Sequence, residues 1–405
     1  MKNWMLLSAA SALVAASAFA AAPARKAANP PPPIATYWMD VSSSSGIGAG
    51  LMGGGGSGAR PSVGAMMAMM NGGGGGVSHT LALTLASRDT AAAPNADHWV
   101  PPGLQMGASL PLLAPEQVKA EAPTTPGMPA QFQRPKGRML IYWGCGEHAG
   151  AGQPTVIDFS KIAAGQVPPG MAQLATMAHI VQHPNSAPGF GEWPNRKDSR
   201  PVPAAGSLIG AHRVEANYAP PIGFSLGAGQ DFMPGLALRE AGALPSGADR
   251  LAWQPAAQAT GYALAMFGAG QNGDIIMWSS GKGFPTMDYV RPSEVKRLIA
   301  AGQVLPPSTG ECLLPAEVAS ASPAGMVTMI GYGPEADFSD NPKAPKWLAK
   351  VRYKTTASLI RGMRGMGAGM SPEAGQPDQP PPQQPRKKRR GFGLPGILGA
   401  IPIPH

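Results

Sequence analysis

The chain has 405 residues, of which 54 are Gly and 46 Pro, with 14% charged side chains and a formal net charge of +9. That charge sits at the ends: apart from Lys2, Arg25, Lys26, the run Arg386–Arg390 and the acidic pair Glu373 and Asp378, 24 basic residues stand against 21 acidic ones. So even a balance excludes a nucleic-acid-binding surface, and no apolar run reaches the roughly 20 residues that a membrane-spanning helix needs.

From the N-terminus, Lys2 precedes an apolar stretch, Trp4–Phe19, with the small-x-small site Ala18-Phe19-Ala20 at its end. This is the pattern of a cleavable secretory signal, residues 1–20, and predicts a periplasmic or secreted protein. Residues 21–76 read as an extended N-terminal segment: prolines at 30–33, a strand in "ATYWMDV" (35–41), then a loop too rich in Gly for regular structure. "HTLALTLAS" (79–87) alternates, with Leu81, Leu83 and Leu85 on one face, as in a half-buried strand. "GASLPLL" (107–113) is a shorter candidate, followed by a Pro- and Ala-rich connector over 114–131. "GRMLIYWGC" (137–145) is strongly apolar, and "SLIGAHRVEANYAPPIGFSLG" (207–227) reads as two strands broken at Pro220 and Pro221.

In the second half, Gln271-Asn272-Gly273 lies between "GYALAMF" and "DIIMWSS", and Asn-Gly between two apolar runs signals a hairpin. Leu251-x-Trp253 followed by Tyr262-x-Leu264 resembles the B and C strands of fibronectin type III domains, which implies a β-sandwich core anchored on that Trp and Tyr. "AGMVTMIGYG" (324–333) adds a strand. "KVRYKTTASLI" (350–360) alternates charged and apolar residues, as on an edge or half-solvated strand.

One hexapeptide, "IAAGQV", occurs at 162–167 and again at 299–304. Upstream of each copy an apolar strand ends in a tryptophan, Trp143 or Trp278, and Asp158-Phe159 matches Asp288-Tyr289. In the second copy Ser293 can cap a helix, Val295, Leu298 and Ile299 share a face, and Gly302 ends it. The expectation is an all-β protein of two tandem Ig-like, fibronectin-III-like β-sandwich domains from an internal duplication, spanning 77–236 and 237–365. A disordered Pro-rich and basic tail, 366–405, follows them.

Cys145 and Cys312 are the only cysteines, and an even number in an oxidising compartment favours a disulfide over two buried thiols. Glu147 and His148 follow Cys145 in a Gly-rich loop, and Trp193 stands beside a basic turn; these three are the candidate ligand-facing residues, with Trp143, Trp253 and Trp278 read as core. Catalytic signatures fail on context. Gly223-Phe224-Ser225-Leu226-Gly227 lacks the helix that a nucleophile elbow needs. Gly48-Ala49-Gly50-Leu51-Met52-Gly53 is followed by more glycine where a dinucleotide site needs a helix. His179 and His183 have no third ligand. No catalytic residue, cofactor or metal is assigned. "MMAMM" (66–70) keeps a copper-handling alternative open, since thioethers are soft ligands. A further alternative is a carbohydrate-binding or carbohydrate-acting protein using loop aromatics; an enzyme of that kind requires two carboxylates, weighed among Asp158, Glu147 and Glu192, to converge within roughly 5–10 Å.

In the tail, Arg386, Lys387, Lys388, Arg389 and Arg390 precede an apolar segment broken by Gly and Pro. Such a cluster either rests on an anionic membrane surface, each charge contributing about 1 kcal/mol, or stays solvated. "ATYWMD", "GRMLIYWGCGE" and "KVRYKTTASLIRGM" resemble stretches of a family of exported proteobacterial proteins of unknown function; that resemblance implies export and no particular activity. The reading favoured by the sequence is a non-enzymatic, envelope-associated structural or binding protein with an envelope protein or a glycan as partner.

Overall fold

Alternation of apolar and polar residues makes strands the dominant regular element, ahead of a few short helices. The computed structural model describes residues 32–47, 76–115, 137–163, 182 and 187–362, and the expected signal (1–20), the Gly/Met-rich stretch with Met66–Met70, His179, His183 and the Arg386–Arg390 run lie outside them. Sixteen strands are described: β1 (Ala35–Gly46), β2 (Ser78–Ser87), β3 (Ala96–Trp99), β4 (Ser109–Pro111), β5 (Arg138–Trp143), β6 (Thr155–Asp158), β7 (Gly189–Trp193), β8 (Gly210–Ala216), β9 (Ala219–Leu226), β10 (Arg239–Ala243), β11 (Asp249–Ala252), β12 (Gly261–Ala269), β13 (Ile275–Ser279), β14 (Glu311–Leu314), β15 (Gly325–Ser339) and β16 (Trp347–Arg361). The α-helices among the described residues are short: α1 (Phe159–Ala163), α2 (Pro292–Ala300) and α3 (Ala316–Ala321).

Nine strands form one sheet in the order β6-β5-β13-β12-β15-β16-β1-β2-β7; β4-β3-β8-β9 and β10-β11-β14 form two smaller sheets. Both small sheets pack on the same face of the large one. Tyr37, Leu83, Trp278 and Val351 of the large sheet share a continuous buried cluster with Leu110, Val214 and Phe224 of one small sheet and Leu251 and Leu314 of the other. The protein is thus an all-β, two-layered structure with one principal core. The expected boundary between 236 and 237 does not separate two sandwiches. All described residues belong to one compact unit, and β5 and β6 from the first half extend the edge that β13 from the second half begins. Nor is Ala35–Gly46 a peripheral extension: β1 lies inside the large sheet, parallel to β16 and antiparallel to β2.

The repeat acquires a different meaning. β5 and β13 lie side by side and parallel, with Tyr142 opposite Trp278 and Trp143 opposite Ser279. The two tryptophans aligned by sequence are therefore one residue out of structural register and point to opposite faces. Trp278 is in the principal core, whereas Trp143 packs against a smaller cluster on the outer face with Met139, Ile141, Ile157 and Ile275. The second hexapeptide ends α2: Gly302 takes φ +68° just beyond it, and Gln303 N–H returns to Leu298 O at 2.9 Å. The helix starts earlier than Ser293 suggests. Arg291 is its N-cap and Pro292 its first residue, so the fixed φ of proline sets the start without a side-chain cap. Most of the first copy, 164–167, lies outside the described residues.

Two further expectations change. The break in 207–227 falls at Asn217-Tyr218, and Pro220 and Pro221 sit within β9, an edge strand where their missing N–H groups are tolerated. Residues 350–360 are not on an edge or half-solvated. β16 is interior to the sheet, and Lys350 and Arg352 are buried.

Candidate functional site

β5 ends at Gly144, where φ of +93° turns the chain off the large sheet and towards β14. Trp278 Nε1 donates to Gly144 O at 2.9 Å and fixes that turn. The following residues run beside the three-stranded sheet: Gly146 N–H donates to Leu313 O and Ala316 N–H to Glu147 O, each at 3.0 Å. Cys145 and Cys312 are joined in a disulfide with a Cα–Cα distance of 5.2 Å. Glu317, in the first turn of α3, completes the docking. Its carboxylate accepts from Ala149 N–H at 2.8 Å and meets His148 Nδ1 at 3.0 Å. Those backbone and side-chain hydrogen bonds hold the Glu317 carboxyl below its usual range.

Between this loop and α3 lies an open depression of about 640 Å³, lined by His148, Ser246, Asp249, Glu317, Ser320 and Arg361 among others. Its floor is structural. Arg361 is buried, pairs with Asp249, and donates to Ser322 O, so it neutralises a carboxylate and a carbonyl just beyond the end of α3. At the rim His148 and Glu317 are both well exposed, and among the described residues no hydroxyl or thiol is hydrogen-bonded to the imidazole. A surface pair of this kind can bind; it lacks the nucleophile contact that covalent catalysis requires.

Trp193 is not ligand-facing. β7 alternates buried and half-buried positions, and Trp193, opposite Leu83, turns into the principal core with 3% exposure. The sequence placed it beside a basic turn; the strand's parity decides its direction. Glu147 and His148 are exposed, as ligand-facing residues must be. Of the three acids weighed for glycan cleavage, Asp158 and Glu192 do not converge. Asp158 lies on β6 and Glu192 on β7, the opposite edges of the nine-stranded sheet, eight inter-strand steps of about 4.8 Å apart. Gly223–Leu226 are part of antiparallel β9, where Ser225 Oγ donates to Gly210 O, so no nucleophile elbow forms. Among the described residues no three His, Cys, Asp or Glu side chains are grouped to hold a metal ion.

Two buried polar networks were not foreseen. The first covers the outer face of β1, β15 and β16. Arg352 makes a two-pronged pair with Asp40, Nε to Oδ1 at 2.6 Å and Nη2 to Oδ2 at 2.5 Å. Its guanidinium lies between the rings of Trp38 (4.4 Å) and Tyr289 (4.8 Å), and Nη1 donates to Gln182 O. Lys350 bonds Glu335 and Asp337, and Lys354 donates to Met287 O. Burial outweighs Arg352 and raises the Asp40 carboxyl, while burial lowers Lys354 and pushes Tyr289 well up. The second network joins Tyr37 on β1, His98 on β3 and His212 on β8 inside the core. Sequence could have offered Lys350-x-Arg352-x-Lys354 as one strand face, but not the carboxylate, 312 residues away, that meets it.

No protein-family model matches the chain, and no curated protein matches it in sequence.

Proposed function

We propose that the protein is a non-enzymatic binding or structural protein of the cell envelope, exported by residues 1–20, with Arg386–Arg390 as a membrane-surface contact. The observation that carries this reading is the use made of buried polar chemistry. Asp274, Lys350, Arg352, Arg361, His98 and His212 are all buried, and each is engaged in a contact that joins two segments of the fold. In the depression beside His148, the imidazole is engaged with Glu317 and Asp249 with Arg361. The disulfide supports the location, since such bonds persist in oxidising compartments. The reading is tested with the purified mature chain against ester, phosphate and glycoside substrates. Turnover at the level of buffer is expected; turnover that His148→Ala or Glu317→Gln abolishes would overturn it.

A second reading, glycan binding, is favoured by Trp99. This side chain is 38% exposed on the outer face of β3, with the Arg213 guanidinium 5.3 Å from its ring and Ser109 opposite it on β4. An indole face bordered by polar groups suits the mixed surface of a sugar ring. In affinity electrophoresis through polysaccharide-containing gels, retardation that disappears in Trp99→Ala supports this reading. Equal mobility of wild type and variant in every gel sinks it.

A further inference from the structure

The buried histidines form a chain whose every proton can be placed. Burial favours neutral rings for both histidines; His212 Nε2 lies 2.7 Å from Leu208 O, a carbonyl that can only accept, so in the neutral ring Nε2 carries the proton and Nδ1 is an acceptor. His98 Nε2, 3.0 Å from that Nδ1, must then be the donor, which leaves His98 Nδ1 to accept from the Tyr37 hydroxyl at 2.7 Å. Three hydrogen bonds therefore run in one direction, Tyr37 to His98 to His212 to Leu208, and both imidazoles are neutral. Tyr37 belongs to the nine-stranded sheet and both histidines to the four-stranded one, so the first link crosses between the layers.

Among the described residues no carboxylate contacts either imidazole. From β4 and β8 the neighbours of His98 are Leu110 and Val214. From β9, Phe224 stacks on His212 at 5.1 Å, and from β15, Phe338 stacks on Phe224. Asp231, from the segment after β9, is already bound to Ser207 Oγ and Leu208 N–H. Asp40 lies on the other face of β1, paired with Arg352. One extra proton, taken up at His98 Nδ1, turns that nitrogen from acceptor to donor and leaves the Tyr37 hydroxyl hydrogen without an acceptor. A second sets donor against donor between two like charges at the His98–His212 contact.

We propose that Tyr37, His98 and His212 form an acid-sensitive clasp between the two layers, which releases β3, β8 and β9 from the nine-stranded sheet when the imidazoles take up protons. An exported protein meets the pH of its surroundings, and the clasp acts whatever the surface binds. Burial holds both imidazoles below their ordinary value of 6.5, so the released state binds more protons. Closure is thus complete above about pH 6.5 and weakens as pH falls, by up to about a hundredfold per pH unit for two sites.

Hydrogen exchange of the full chain, corrected for intrinsic rates, tests this between pH 7.5 and 4.5. Amides of β3, β8 and β9 are expected to lose protection tenfold or more below pH 6.5 while β12, β13 and β15 keep theirs; His98→Gln/His212→Gln abolishes the difference. Loss spread evenly over both layers, or no selective loss down to pH 4.5, overturns the proposal. The wild-type profile decides by itself if the double variant does not fold. A second measurement is independent of stability: histidine ¹⁵N shifts at neutral pH should show both imidazoles protonated at Nε2, and an Nδ1–H form at either overturns the assignment.

Discussion

Removing the Cys145–Cys312 bridge is expected to lower stability by about 5 kcal/mol while leaving the fold intact. The bond spans 167 residues, so its loss frees a long loop in the unfolded chain and most of the effect arises there. The native contact has other supports. Gly146 N–H to Leu313 O, Ala316 N–H to Glu147 O and the Glu317 contacts to Ala149 and His148 hold the same loop against β14 and α3. Cys312 is buried, so Cys145→Ala/Cys312→Ala also opens a small void; reduced wild type separates that contribution from the entropic one. The check is denaturant unfolding of oxidised, reduced and double-alanine protein, with near-UV circular dichroism to confirm the native state. A drop in melting temperature on the order of 10 °C accompanies it. Equal midpoints for oxidised and reduced protein would show that the bridge adds nothing, and loss of the near-UV signal would show that the loop contacts cannot hold the docking alone.

What could be read from sequence was what neighbouring residues decide. The alternation of Leu81, Leu83 and Leu85 gave β2, and Asn272-Gly273 gave the β12–β13 hairpin, with both residues at positive φ. Pairings between distant segments left no local trace. β1 joins β16 across some 312 residues and β5 joins β13 in parallel, so a boundary drawn at 236 cut through one sheet. Periodicity also shows which residues share a face without showing what covers it. Lys350, Arg352 and Lys354 alternate as a solvated strand would, yet Trp38, Tyr289 and carboxylates from three other segments close over them. The same limit misplaced Trp193, and it hid His98 and His212, which meet across 114 residues. In the candidate site, Cys145, Glu147 and His148 were legible because they are consecutive in a loop; Glu317, which orients that loop, was not.

Asp40→Ala is expected to destabilise the protein by about 3–5 kcal/mol, because it strands a buried guanidinium. The side chain of Arg352 is 7% exposed and that of Asp40 19%, so neither charge recovers its hydration when the other is removed. The pair itself is a poor source of stability. Burial raises the Asp40 carboxyl above its ordinary value even with Arg352 in contact, so the folded state binds the proton more tightly than the unfolded chain does. The sign follows: as pH rises from about 4 through the raised value, stability falls, because the unfolded carboxyl ionises first. Ionised Asp40 is thus tolerated because Arg352 needs it, and the pair's contribution is to fix which strands meet. Replacing both members with apolar side chains, Asp40→Leu/Arg352→Met, should recover most of the loss, since Trp38 and Tyr289 already provide an apolar slot for the methionine. A double-mutant cycle by chemical denaturation gives the coupling, expected at about 2 kcal/mol or more. A single substitution costing under about 1 kcal/mol, or a double variant whose loss equals the sum of the singles, would show the two charges to be effectively hydrated and independent.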